Sequence, residues 1–348
     1  MRDQLSWGII GTGAIAATFG RALARSHTGR LVAVASRAQA TADAFAREFN
    51  ADHAHGSYQA ILDDPNVQAV YIATPHPLHA EWTIKTARAG KHVLCEKPLA
   101  INHADAKSII DAARQNDVFF MEAFMYRCHP QTARLIELVR SKAIGDVRVI
   151  HATFSFQVGF DPESRLFKNS LAGGGILDVG CYTVSMSRLI AGIATGKDFA
   201  DPIEIKGVAH LGQTGIDEWA VASLKFPGDI LGQVATGVSL NQENVVRIYG
   251  SEGQITLPNP WTLNRYDAEQ GRIIVQHKGE ASPREMIVEA ASTAFAYEAD
   301  VVGNAVLAGK KQASSPAMTW DDSLENIRTL DRWRESIGLV YESEKARR

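Results

Sequence analysis

The stretch "LSWGIIGTGAIA", residues 5–16, decides the fold. An apolar run leads into Gly11-Thr12-Gly13-Ala14-Ile15-Ala16, a G-x-G-x-x-A turn that opens a helical pattern. Gly11 permits a tight turn, Gly13 lets the backbone approach a pyrophosphate, and Ala16 allows close helix-sheet contact. A helix N-terminus then faces the phosphate charge. Alone, such a turn could be a plain glycine link between strand and helix, so its neighbours decide.

Those neighbours alternate. "LVAVAS", "VQAVYIAT", "HVLCE" and "VFFMEAF" read as further strands, apolar on both faces. Helical patterns are predicted over 14–24, 38–49, 58–62, 79–89 and 104–114, between the strands. Alternation of this kind predicts a parallel sheet with right-handed crossovers. After about residue 145 the pattern changes to consecutive strands, such as "VRVIHATFSFQV", "EWAVASLKF" and "VVRIYGSEGQITL", joined by short turns. Short turns mean antiparallel pairing. Helices are predicted at 178–190, 291–308 and 323–336. The expected fold is therefore α/β plus α+β. It has an N-terminal Rossmann dinucleotide-binding domain (1–125) and a C-terminal domain (126–348) with a large, open, mostly antiparallel sheet. The last helices could pack back on the first domain, and the uncovered sheet face invites a second subunit.

The bulk composition narrows the function class. The 348 residues exceed one small core, and 22% charged residues with a net charge of −3 leave no basic footprint for nucleic acid or anionic membrane. No run reaches the roughly 18 apolar residues of a membrane helix, and the first residues lack a secretion pattern. Cys95, Cys128 and Cys181 are odd in number and lack metal-site spacing, so neither disulfides nor zinc are expected there and a reducing cytoplasm fits.

The candidate site residues cluster at strand ends. Gly11, Thr12, Gly13, Ala14 and Ile15 form the expected phosphate cradle. A site for NAD usually places an acid after the second strand; here Ser36 and Arg37 stand there, which suits a 2′-phosphate. NADP(H) is thus the preferred cofactor and NAD(H) the alternative. Thr74-Pro75 ends a buried strand at the cofactor crevice. His76 and His79 have H-x-x-H spacing without further ligands, so no metal is assigned. Lys97, in "HVLCEKPLA", follows the next strand and is either solvated or aimed into the site. "LAGGGILDVGCY" puts Asp178 and Tyr182 four apart, on one helical face. An acid there could orient a phenol that exchanges a proton with substrate. Glu122 and Arg127 follow another strand, and Arg165 precedes the triple glycine.

Together these motifs resemble the Gfo/Idh/MocA family of oxidoreductases over nearly the whole chain. The resemblance implies that Lys97 of "EKP" is a central active-site residue near the nicotinamide, with Glu96 and Pro98 shaping its turn. Where many members have histidine, this chain has Tyr182. That is similar to the branch with dimeric dihydrodiol dehydrogenase, glucose-fructose oxidoreductase and some xylose dehydrogenases, in which the tyrosine is taken as the acid/base. By the same resemblance, Ser36, Arg37, Thr74, Pro75, His79, Glu96, Lys97 and Arg165 join the cofactor site. Lys97, Arg127, Asp178 and Tyr182 face a polyol or carbonyl substrate, and the C-terminal sheet forms a homodimer or tetramer. The expected reaction is hydride transfer between NADP and a carbinol carbon of a sugar, anhydro-sugar or cyclic diol. Tyr182 is the proton carrier (Lys97 the alternative), Lys97 stabilises the oxyanion and lowers the tyrosine's pKa, and Asp178 orients the pair. A non-catalytic NADP-responsive regulator on the same fold is the competing expectation.

Overall fold

The computed structural model describes residues 4–262 and 270–345. The outermost residues of the two expected domains, 1–3 and 346–348, lie outside them. Six parallel strands form the first sheet: β1 (Leu5–Ile10), β2 (Gly29–Ala35), β3 (His53–His55), β4 (Ala69–Ile72), β5 (His92–Glu96) and β6 (Phe120–Ala123). Their order is β3-β2-β1-β4-β5-β6. That order reverses direction between β1 and β4, and ligands of such sheets bind outside the carboxyl ends at this point. Helices α1 (Ala14–Leu23), α2 (Gln39–Phe49), α3 (Tyr58–Asp63), α4 (His79–Arg88) and α5 (His103–Gln115) make the crossovers. Beneath α1, the Phe19 and Tyr71 rings stack with centroids 3.9 Å apart.

The glycine turn is fixed by its surroundings. Gly11 has φ +105°, and a Cβ there would stand 2.8 Å from the Ala73 carbonyl oxygen. A side chain is thus excluded twice, by conformation and by the approach of the chain leaving β4.

After α6 (Pro130–Arg140) the chain enters an eight-stranded sheet. Its strands are β7 (Val147–Ser155), β8 (Glu204–Leu211), β9 (Asp217–Lys225), β10 (Leu231–Gly237), β11 (Val245–Gly250), β12 (Gly253–Pro258), β13 (Gly271–His277) and β14 (Arg284–Val288). The order is β14-β13-β12-β11-β7-β10-β9-β8. Neighbours run antiparallel except β7 and β10, which pair in parallel. The return from β7 to β10 passes through the whole site-bearing segment, and such a long crossover is what parallel pairing requires.

That segment holds the largest departure from the expected helices. Ile176–Gly180 is π-helical and runs into α7 (Cys181–Ala194). The extra residue per turn belongs with the glycines before it, and π-helical turns are frequent at functional sites. Gly174 has φ +111°, and a Cβ at Gly175 would lie 3.1 Å from Gly237 Cα, so the helix start lies directly on β10. The Asp217 carboxylate accepts the Ile176 N–H (2.6 Å) and holds it there. The helical run Asn169–Ala194 is apolar and long enough to cross a bilayer by composition, but its most apolar window is entirely buried inside the protein.

The closing helices α8 (Ala294–Leu307) and α9 (Trp320–Ser336) return to the first sheet. Asp300 accepts hydrogen bonds from Ser26, His27 and Thr28, just before β2. Asp331 accepts the His103 N–H (2.8 Å), and Arg334 donates to the Ile101 carbonyl (3.0 Å). These bonds tie α8 and α9 to the domain of the first sheet.

Candidate active site

Lys97 follows β5, at the carboxyl edge of the first sheet, and the Lys97–Pro98 peptide is cis. Its side chain is 15% exposed. The ammonium donates to the Asp178 carbonyl (2.7 Å) and lies 3.5 Å from the Asp178 carboxylate. It also stands 5.2 Å from the centre of the Tyr182 ring. Three residues from two distant segments therefore meet as expected, although Asp178 contacts the lysine through the π-helical turn.

Two further groups complete the cluster. Arg165 donates to the Asp178 carboxylate (3.0 Å), and His76 Nε2 lies 3.9 Å from the same oxygen. Burial pushes the Asp178 carboxyl up, but the Lys97 and Arg165 charges outweigh it and hold the group well below the usual carboxylate range. Burial drives His76 the other way for a base, so its imidazole is neutral at physiological pH despite the nearby acid.

Tyr182 is 5% exposed. It sits among Phe124, Tyr126, Phe154 and Trp261, with ring centroids 5.2 to 6.1 Å away. Its hydroxyl lies 3.6 Å from Met125 Sδ. Phe154 and Trp261 come from β7 and from beyond β12, so no local spacing in the sequence could have joined them to Tyr182. His76 did carry a signal, its place after β4.

The phosphate cradle fits an anion. Gly13 caps α1 without any side-chain hydrogen bond, and a Cβ there would meet open space. Thr12, Ala14 and Ile15 complete this exposed helix start, so its N–H groups are available. Beyond β2, Ser36 is 8% exposed and its hydroxyl lies 3.4 Å from that of Thr12. Arg37 is exposed and makes no ion pair among the described residues. Past β4, the buried Thr74 hydroxyl has no hydrogen-bond partner among them, and Pro75 leads into the turn carrying His76. An orphaned hydroxyl beside an open helix N-terminus suits a dinucleotide in this crevice.

Three of the expected site residues have side chains engaged inside the protein. Arg127, expected to face substrate, is 1% exposed. Its guanidinium donates to the Tyr126 hydroxyl, the Ser185 hydroxyl and the carbonyls of Ser185 and Pro316, and pairs with Asp322 at 3.2 Å. The tight turn after β6 points it inward, where the rigid five-donor fork joins four segments. Glu96, expected at the cofactor, is buried in the sheet and accepts the Tyr71 hydroxyl. His79 is fully buried; its ring nitrogens lie 2.8 Å from the carbonyls of Pro98 and Thr74, and burial pulls its pKa to about 4. Its side chain therefore braces the Lys97 turn against the end of β4. Buried in apolar surroundings, Cys95 and Cys181 have thiols pushed far up, which makes them poor nucleophiles. Two surface hollows of about 530 and 620 Å³ open elsewhere and include none of these residues.

A Rossmann sheet joined to a large mixed sheet, with a lysine, an aspartate and a tyrosine meeting where the two face, defines a two-domain oxidoreductase class. The chain belongs to the Gfo/Idh/MocA oxidoreductase family. Residues 5–124 match its NAD-binding Rossmann fold, and residues 132–256 match the GFO/IDH/MocA C-terminal domain. Trans-1,2-dihydrobenzene-1,2-diol dehydrogenase of Mus musculus is 31% identical over 347 residues, covering 98% of this chain and 99% of that one. Among solved structures, the 3-ketoreductase KijD10 from Actinomadura kijaniata, in complex with NADP and TDP-benzene, is similar with a TM-score of 0.84. It is 26% identical, with 96% of this chain and 98% of that one covered. An aldose-aldose oxidoreductase from Caulobacter crescentus, complexed with glycerol, gives a TM-score of 0.84 at 25% identity, covering 96% and 97%.

Proposed function

We propose that the protein is an NADP(H)-dependent dehydrogenase/reductase. It would move a hydride between the nicotinamide and a carbinol or carbonyl carbon of a sugar, anhydro-sugar or cyclic diol, with NAD(H) the weaker cofactor. The observation that carries this is the Lys97 ammonium, anchored on Asp178 and lying 5.2 Å from the centre of the Tyr182 ring, at the ligand-binding edge of a dinucleotide sheet. The relatives' reported activities and the NADP bound to KijD10 support it.

When bound, the nicotinamide supplies the hydride acceptor or donor. Tyr182 takes the substrate hydroxyl proton as the carbonyl forms, and returns it in the reverse direction. Lys97 offers its positive charge to the reacting oxygen as that oxygen turns negative. Asp178, which Arg165 fixes in turn, holds Lys97 in place, and its ionised carboxylate balances the lysine's charge. The buried aromatic rings around Tyr182 exclude water from its ring and fix its orientation. The Gly11–Ile15 turn holds the pyrophosphate, while Ser36 and Arg37 take the 2′-phosphate. The same proposal divides the chain at residues 125/126 into cofactor and substrate domains and places it in the cytoplasm, in keeping with its three free cysteines. It also joins two copies through the open face of the C-terminal sheet.

The test is a screen of sugar, anhydro-sugar and dicarbonyl substrates with NADPH, run beside aldoses and diols with NADP. Turnover on at least one member is expected. Tight NADPH binding without any turnover would instead make the protein an NADP-responsive regulator.

A further inference from the structure

A second cluster lies at the edge of the first sheet, away from Lys97. β3 reads His53-Ala54-His55, and the period of two along a strand puts both imidazoles on one face. Both turn to a single atom: His53 Nδ1 lies 2.5 Å and His55 Nε2 lies 3.0 Å from Asp64 Oδ2. The three donor atoms all fall within 4.8 Å of one another. The other oxygen, Asp64 Oδ1, is occupied by the Asn66 backbone N–H (2.9 Å) and side-chain amide (3.1 Å). That bond pair fixes the carboxylate so that Oδ2 must face the histidines. Lys91 steadies the same loop from beneath by donating to the carbonyls of Asp64 (2.7 Å) and Val67 (2.8 Å).

We propose that His53, His55 and Asp64 bind a first-row divalent cation of the zinc type. Two imidazoles and one carboxylate are the donor set such ions prefer, whereas magnesium and calcium want oxygen alone. A carboxylate held by hydrogen bonds to its second oxygen is the outer support that metal ligands usually have. Zinc–ligand bonds of about 2.1 Å at tetrahedral angles need donors about 3.4 Å apart. Binding therefore leaves the proton of each neutral imidazole on the ring nitrogen that faces away from the carboxylate, His53 Nε2 and His55 Nδ1, and moves the two liganding nitrogens away from Asp64 Oδ2 by less than an ångström. The histidine side chains are 39% and 22% exposed while Asp64 is 4%, so the outer side is open for the ion to enter and for water as fourth ligand.

The position gives the ion a structural consequence. β3 is the edge strand, and the His55 carbonyl accepts the Ser36 N–H at 3.0 Å. Clamping β3 to the loop after α3 thus stiffens the wall that carries Ser36 and Arg37.

The full chain, stripped with a chelator, is titrated with zinc chloride by calorimetry and, separately, with magnesium chloride. One zinc per chain with micromolar or tighter affinity, no response to magnesium, and a rise in Tm with zinc are expected. His53→Gln and His55→Gln should each weaken zinc binding at least tenfold while NADPH binding persists. His53 is the more exposed of the two, so its variant keeps the test valid if the other fails to fold. Absence of stoichiometric zinc binding, or equal binding by the variants, would overturn the proposal and leave the cluster as a hydrogen-bonded clip.

Discussion

Lys97 and Arg37 illustrate two kinds of legible residue. A lysine after an apolar strand and an arginine where an acid is usual are both visible in the sequence, because strand ends on a parallel sheet have fixed meaning. Their partners are not visible. Arg165 and His76 reach Asp178 from 13 and 102 positions away, and only the fold brings them together. Arg127 shows the reverse: its place after β6 suggested the crevice, but Ser185 and Asp322 draw it inside. At this scale, replacing Tyr182 by Phe removes the proton carrier and leaves the aromatic packing. Expected is a fall in kcat of about a hundredfold or more with KM little changed, read by steady-state kinetics. Arg37→Glu should raise the KM for NADPH at least tenfold and leave that for NADH nearly unchanged, since the free guanidinium would serve only the 2′-phosphate.

Among elements, the strands and crossovers of the first sheet follow from periodicity and the G-x-G turn. The second sheet is less legible. Its parallel β7–β10 pair depends on a crossover of more than seventy residues, and the short β14 forms the sheet edge. The π-helical turn at Ile176–Gly180 also escapes a helical-period reading, because its cause is the approach of Gly175 to β10. β6 supports the Lys97 turn through Glu122, which accepts the Leu99 N–H at 2.7 Å. Burial raises this carboxyl to about 8 from an ordinary 4.5. Between those values the folded chain keeps a proton that the unfolded chain releases, so stability falls as pH rises from 4.5 to 8 and is unaffected by this group below 4.5. Glu122→Gln should remove that slope. Its Tm should match the parent near pH 4.5 and exceed it by a few degrees at pH 8–9 in scanning fluorimetry; parallel profiles would show that Glu122 is not the titrating group.

For the whole molecule, Asp300 and Asp331 bind the last helices to the first domain although these helices follow the second sheet in sequence, and Ser336 of α9 also holds Gly207 of β8. The outer face of β8, β9 and β10 presents Val208 (68% exposed) opposite Val221, with Trp219 and Leu231 beside them. An exposed apolar face on an open sheet marks an interface. A homodimer is expected in light scattering after gel filtration. Val208→Asp should shift it toward monomer while NADPH binding persists, and an unchanged dimer would place the interface elsewhere.

The most direct test of the site is the turnover of Lys97→Met, measured beside its NADPH affinity on a substrate that the parent protein accepts. Turnover should fall at least a hundredfold with the dissociation constant for NADPH changed by no more than about threefold, because Lys97 acts on the reacting oxygen. Turnover close to that of the parent would contradict the assignment of Lys97, and with it the location of the active site.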